Sequence, residues 1–199
     1  KLKEYSLKII ERWILKQIWE DGPSSELASN YHLFVLDSLL QIEILLKKSG
    51  SGFSPKAQHR LEKMIEYAMF LVKPDGSIPQ LGDNDSGRAF KLSEFNPSDR
   101  RSYLSSGAVI FSRNDFASVA RKFYEESFWL LGVPALRKFD KLRLDEYPPS
   151  FKIFPNAGIA IFKNKTEKDA DYLVFRGGAT ALRKNVSFSH NHADALSFE

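Results

Sequence analysis

The chain holds 199 residues, 43% of them hydrophobic and 27% charged, with a formal net charge of +4 and no cysteine. That length accommodates one large or two smaller domains, and the composition excludes an intrinsically disordered chain. It also excludes a disulfide framework and a Cys-based zinc site, and no run reaches the roughly 18 apolar residues of a membrane span. The positive balance favours an anionic partner. Acidic polysaccharide, nucleic acid and membrane surfaces all carry that charge, but the basic residues are scattered and form no nucleic-acid arm.

The first element is a helix over residues 2–19. Its apolar stripe is Leu7, Ile9, Ile10, Trp13, Ile14, Ile18 and Trp19, and Asp21-Gly22-Pro23 stops it. A second helix spans 31–48, with Leu33, Phe34, Leu36, Leu40, Ile44 and Leu45 inward, and Ser49-Gly50-Ser51-Gly52 breaks it. Ser54-Pro55 opens a third helix that reaches about residue 72, with His59 on its surface. Three antiparallel helices with short loops suggest stacked helical hairpins. Residues 73–101 are rich in turn formers, including Pro74-Asp75-Gly76 and Gly82-Asp83-Asn84-Asp85-Ser86-Gly87-Arg88. A loop of that length in a compact domain is often functional. Helical patches follow over 102–113 and 116–131, with Trp129 and the nearby phenylalanines expected in the core.

The period changes near Pro148. Residues 151–163 and 171–175 read as strands, with Asn156-Ala157-Gly158 as a bend or bulge. The expectation is therefore an α+β chain of two domains, helical over 1–149 and antiparallel β over 150–199. The chain opens inside a helical pattern and stops inside an apparent strand, as expected of a piece of a longer protein. Any secretory signal would then precede Lys1.

The last strand carries the densest chemistry. In Ser189-His190-Asn191-His192-Ala193-Asp194, alternation puts His190, His192 and Asp194 on one face. Two imidazoles and a carboxylate in a row can bind a metal or move protons. A solvated edge strand with a polar face is the plain alternative. The 83–94 loop faintly matches a calcium loop, but Arg88 stands where that loop needs glycine, and Asx turns explain it as well.

Ser-His-Asn-His-Ala-Asp-Ala-Leu-Ser-Phe-Glu over 189–199 resembles the motif that opens the β domain of heparinase II/III-like polysaccharide lyases. Asp21-Gly22-Pro23, then Glu26, Ser29 and Tyr31-His32, resembles that family's pattern before a helix. Pro74-Asp75-Gly76-Ser77-Ile78-Pro79 with Gly82-Asp83-Asn84-Asp85 resembles a loop of its bacterial members. The matches occur in the family's order. The resemblance implies an incomplete α/α toroid followed by an antiparallel β-sandwich. It implies a periplasmic or secreted lyase that cleaves uronic-acid-containing polysaccharide by β-elimination.

On this resemblance Tyr31 and His190 match the catalytic tyrosine and histidine. His192 matches a ligand of a structural zinc whose other ligands would follow residue 199. Asp194 would support that site or cap the strand. Asn30, His32, Asp83, Arg88 and Asn191 are expected against the substrate, His32 as a neighbour that orients Tyr31. Arg88 would pair with a uronate carboxylate or a sulfate. The family's carboxylate-neutralising Asn or His has no match in residues 1–20. Asn30 is a possible substitute, and the true residue is expected before Lys1. Two other readings remain: a non-catalytic binder of acidic polysaccharide, and a metal-dependent glycan hydrolase using His190 and His192.

Overall fold

The computed structural model describes residues 1–84, 89, 92–93, 96, 98–164, 170–177 and 197–198. Among these, seven helices precede a four-stranded sheet, an α+β order. α1 (Leu2–Gln17) ends where Ile18 turns extended, and Ile18 then bridges Ser24 across a tight loop. α2 (Ser29–Lys48) and α3 (Pro55–Leu71) follow, α3 opening with proline in its first turn, where no N–H is needed. α1, α2, α4 (Ser102–Phe111) and α5 (Asn114–Ala120) all pack on α3. Its C-terminal half is therefore buried all round, from Met64 to Leu71. α6 (Glu125–Leu131) and α7 (Val133–Phe139) pack against α4.

The single helix expected over 116–131 is two. Arg121 adopts φ 66° and turns the chain between α5 and α6. No glycine or proline marks that break, so periodicity alone ran through it. α7 was not anticipated; at seven residues it is too short to show a stripe. Trp129 is not core. It is 61% exposed, with its indole N–H donating to Glu125 Oε1 at 3.1 Å one turn back. Phe34 and Leu45, expected inward, are also exposed.

The bend over 156–158 is the turn of a hairpin. β1 (Phe151–Phe154) pairs antiparallel with β2 (Ile159–Lys163), which pairs with β3 (Tyr172–Arg176), which pairs with β4 (Ser197–Phe198). The inner face presents Phe154, Ile159, Ile161 and Val174 to the helical core, and one continuous apolar cluster spans both. The outer face exposes Phe151, Ile153, Phe162, Leu173 and Phe175, with the Phe151 and Phe162 rings stacked at 4.3 Å.

The sheet docks by capping α3. A helix leaves its last carbonyls unbonded. Lys163 Nζ donates to Met69 O at 2.8 Å, and Tyr172 O–H donates to Leu71 O at 3.1 Å. Burial pushes the Lys163 ammonium down to about 8. Lys152 adds an ion pair to Glu66 at 3.2 Å.

Candidate functional site

The site begins with a turn that only glycine can make. Gly22 has φ +114°, and a Cβ there would fall 2.1 Å from Lys63 O on α3. The α1–α2 loop can lie flat on α3 only without that carbon. Beside it, Asp21 Oδ2 accepts the Asn156 N–H at 2.9 Å, which ties the loop to the β1–β2 turn. The Asp-Gly pair of the sequence motif thus joins three elements.

Leu27 follows with φ 58°, a left-handed conformation unusual for a leucine. It turns the chain into α2. No side chain caps that helix, but Ser29 latches its first turn to the long loop. The Ser29 hydroxyl donates to Pro79 O at 2.7 Å and accepts the Leu81 N–H at 3.1 Å, while Ser29 N–H donates to Leu81 O at 2.9 Å. Farther along, Ala89 N–H donates to Asp37 Oδ2 at 2.9 Å. Pro79 and Leu81 are thus tied to the first turn of α2 and Ala89 to Asp37 two turns on, with Asp83 between them in sequence.

Tyr31 sits half-buried in the first turn of α2. With Glu26, Phe34 and Val35 it lines an open depression of ≈ 260 Å³. Phe34, misplaced in the core by its periodicity, is a wall of this depression.

Asn30 and His32 flank Tyr31 but point elsewhere. Asn30 is buried and its Oδ1 accepts Arg100 Nη2 at 3.4 Å. His32 is 1% exposed, which closes it to direct contact with a substrate, contrary to the expectation. Its Nε2 lies 3.1 Å from Met64 O, and a carbonyl can only accept, so Nε2 carries the proton. Nδ1 is buried with no partner. The ring stands edge-on to Tyr67 at 4.9 Å, and Tyr67 edge-on to Phe154 of β1 at 4.8 Å. Burial lowers the imidazole to about 4, so His32 is neutral. Burial likewise pushes the Tyr67 phenol up.

Arg88, His190, Asn191 and His192 lie outside the described residues, as does Asp194. Ser197 and Phe198, later in the sequence, pair with Arg176 and Phe175 of β3. Among the described residues no three His, Asp or Glu side chains stand close enough to hold a metal. No helix among them is long and apolar enough to cross a membrane.

Sequence reasoning did not single out Arg100, the partner of Asn30. It sits in a charged run, Ser98-Asp99-Arg100-Arg101, that reads as a solvated helix start. Nothing in its spacing marks it.

Known proteins supply a frame for this geometry. Solved structures share the fold. Heparan sulfate lyase HepC from Pedobacter heparinus matches with a TM-score of 0.61 at 19% identity, covering 88% of this chain and 24% of that one. A mutant of the same lyase gives 0.62 at 21% identity, with the same coverage. A heparinase III with methylated lysines gives 0.66 at 20% identity, covering 96% of this chain and 25% of that one. The chain thus spans about a quarter of the length of these proteins. No curated protein matches it. The family model described as heparinase II/III N-terminus matches residues 1–106, the stretch that holds α1 to α3, the Ser29 latch and Tyr31, and the chain belongs to the heparinase II/III family.

Proposed function

We propose that this chain is part of a lyase that cleaves uronic-acid-containing polysaccharide by β-elimination, outside the cytoplasm. The supporting observation is the position of Tyr31. It stands in the first turn of a helix fixed on both sides, and it opens on a depression in a heparinase II/III chain.

Elimination removes the C5 proton α to the uronate carboxylate. The electron pair moves into the C4–C5 bond, the C4–O bond breaks, and the leaving oxygen takes a proton. No water is consumed, and one product carries an unsaturated uronate. Three groups are needed: a base for C5, an acid for the leaving oxygen, and a donor or cation for the carboxylate, which gains charge as the proton leaves. Tyr31 and His190 are the proposed acid/base pair. A phenol is well matched to a leaving alkoxide as an acid, and an imidazole trades protons near neutrality. His32 serves as a positioning residue. Its ring is wedged between Met64 O and Tyr67, and that fixes the turn from which Tyr31 projects.

Asp83, Arg88, Asn191 and Asn30 are the proposed substrate contacts. His192 is proposed to hold a structural zinc together with residues after Glu199, and no step of the reaction is assigned to that metal. The helices are read as the end of an α/α toroid. The apolar outer face of the sheet is read as the inner layer of a β-sandwich, covered by a second sheet.

The test is the full-length protein on a panel of acidic polysaccharides, followed by the ultraviolet absorbance of the unsaturated uronate. Absorbance that grows with time, and is lost in Tyr31→Phe and His190→Ala, is the expected result. Tight binding without absorbance would replace the lyase with a binding protein. Reducing-end release without absorbance would replace it with a hydrolase.

A further inference from the structure

A small cavity of ≈ 60 Å³ opens where the helices meet the sheet. The ends of α3, α5 and β2 surround it, with Tyr147 and Pro148 from the segment that joins the two parts. It shares no lining residue with the depression beside Tyr31. Buried Val72 and Pro148 and exposed Tyr147 give it apolar walls. Four cationic side chains line it, Lys73, Arg101, Arg121 and Lys163, and no Asp or Glu is among the described residues that do.

Two of these charges are answered from outside the cavity. Arg101 binds both Asp99 oxygens, at 2.9 and 2.7 Å. Against the cost of burial, bonds from Ser77 hold the Asp75 carboxyl low, and the charge of Lys73 adds to that. Lys163 is different. Its ammonium has three N–H donors, of which one goes to Met69 O at 2.8 Å, and the cation lies 5.2 Å from the centre of the Phe70 ring. No carboxylate among the described residues pairs with it, and burial alone brings it to about 8, which leaves it charged at neutral pH. A buried cation calls for an anion.

Arg121 supplies a second, independent sign. It closes α5 at φ 66°, in the left-handed region where a helix end usually places glycine or asparagine. Its cap bond runs from the backbone N–H to Ala117 O at 2.8 Å and needs no side chain. An arginine is strained there where a glycine is not, yet its side chain lines the cavity alongside Lys163. A space of this size holds on the order of four waters. One sulfate or phosphate group fits that room; a sugar ring with its hydroxyls does not.

We propose that this cavity is an oxyanion site, in which Lys163 and Arg121 take one sulfate or phosphate group and so join α5 to the sheet. Both side chains donate charge-assisted N–H bonds to its oxygens. The site stands apart from the lyase reading, since it supplies no group of that reaction. The anion is a free inorganic ion or a sulfate carried by the glycan, and the two offer the same chemistry here.

The experiment uses full-length protein in a Tyr31→Phe background, so that any glycan stays intact, with and without Arg121→Gly. Glycine adopts φ 66° without strain, so the variant removes the guanidinium and keeps the α5 cap. Its melting temperature in chloride should not fall. A fall would mean that the guanidinium is already bonded within the fold, and would overturn the proposal. Calorimetry at constant ionic strength then compares inorganic sulfate, inorganic phosphate, heparan sulfate and desulfated heparan sulfate. At least one sulfate or phosphate probe should bind saturably, and Arg121→Gly should weaken it by about tenfold or more, as the loss of one charge-assisted bond predicts.

Loss on the inorganic ions alone assigns the site to a free ion. Loss on heparan sulfate but not on its desulfated form assigns it to a glycan sulfate. Equal affinity of the two proteins for every probe would overturn the proposal, as would an equal loss on the desulfated glycan. Lys163→Met keeps the apolar stem without the charge, and should weaken the same probe that Arg121→Gly weakens. If it weakens another probe or none, the two side chains do not share an anion and the proposal fails.

Discussion

Protonation of His32 should unfold the site from within. The ring is 1% exposed, and its one hydrogen-bonded nitrogen faces a carbonyl. Burial holds it at about 4, against 6.5 in the unfolded chain. Between those values the unfolded chain binds a proton that the folded chain refuses. Stability must therefore fall as pH drops. The contribution is intact above pH 6.5, declines by about 1.4 kcal/mol per pH unit below it, and levels off below about 4. From pH 7 to 5 the loss is roughly 2 kcal/mol, and over the whole window roughly 3 kcal/mol. Carboxylates held low in the fold, such as Asp99 beside Arg101, also lose stability in acid, so the comparison must isolate His32. Gln at position 32 can still donate to Met64 O but does not titrate. Urea unfolding of the wild type and of His32→Gln at several pH values from 7 to 5 gives two curves, and their difference should shrink by roughly 2 kcal/mol across that range. Parallel curves would refute a neutral, buried His32.

The remaining expectations concern chemistry, the loop and the sheet. Tyr31→Phe in the full-length protein should lower turnover by about 10²–10⁴-fold with glycan affinity kept, and His190→Ala should do the same. Full activity in Tyr31→Phe would exclude the mechanism. His192→Ala should lower the melting temperature as well as activity, and equal stability with or without a chelator would remove the structural zinc. Gly22→Ala forces a Cβ onto Lys63 O at positive φ, and should cost roughly 3 kcal/mol or more in urea unfolding. A near-neutral effect would mean the α1–α2 loop does not lie on α3. Phe162→Glu should destabilise the full-length protein by about 2 kcal/mol or more if a second sheet covers the outer face. No change in its unfolding midpoint would leave that face in water.

What the sequence revealed divides along physical lines. α1, α2 and α3 were legible because each is long enough to repeat its stripe four or more times, with glycine or proline at its ends. α5, α6 and α7 were not, because seven residues make two turns and the Arg121 break leaves no chemical mark. Strands β1 to β3 were legible by composition, but a four-residue turn at Pro155–Gly158 looks like a bulge until the pairing of Phe154 with Ile159 is known. The site shows the same division. Tyr31 stood out through its motif. The Asp-Gly pair stood out too, though its reason, a backbone carbonyl that would lie only 2.1 Å from any Cβ, exists only in three dimensions. His32 carried the same weight as Tyr31 in the motif, yet it faces the core, because residues one apart on a helix point about 100° away from each other. Arg100 was illegible. Its contact with Asn30, 70 positions back, belongs to the fold, and no spacing records that.

The buried face of the motif explains why a lyase would need it. In the proposed mechanism one reacting group, Tyr31, belongs to α2 and the other, His190, precedes β4 in sequence. Their separation must hold to a fraction of an ångström for a proton to move between them and the sugar. The described contacts supply that rigidity without touching substrate. His32 on α2 packs on Tyr67 of α3, and Tyr67 packs on Phe154 of β1. Asp21 holds the β1–β2 turn at Asn156, and Lys163 and Tyr172 hold the sheet to the end of α3. The ring chain and the Lys163 and Tyr172 bonds all meet on the C-terminal half of α3, where every residue from Met64 to Leu71 is buried. A substitution at Tyr67 should therefore disturb turnover more than binding. Tyr67→Leu keeps an apolar side chain but removes both edge-on ring contacts, and should lower kcat with KM little changed. A rise in KM at constant kcat would mean that Tyr67 shapes the glycan groove and does not set the distance between Tyr31 and the β strands.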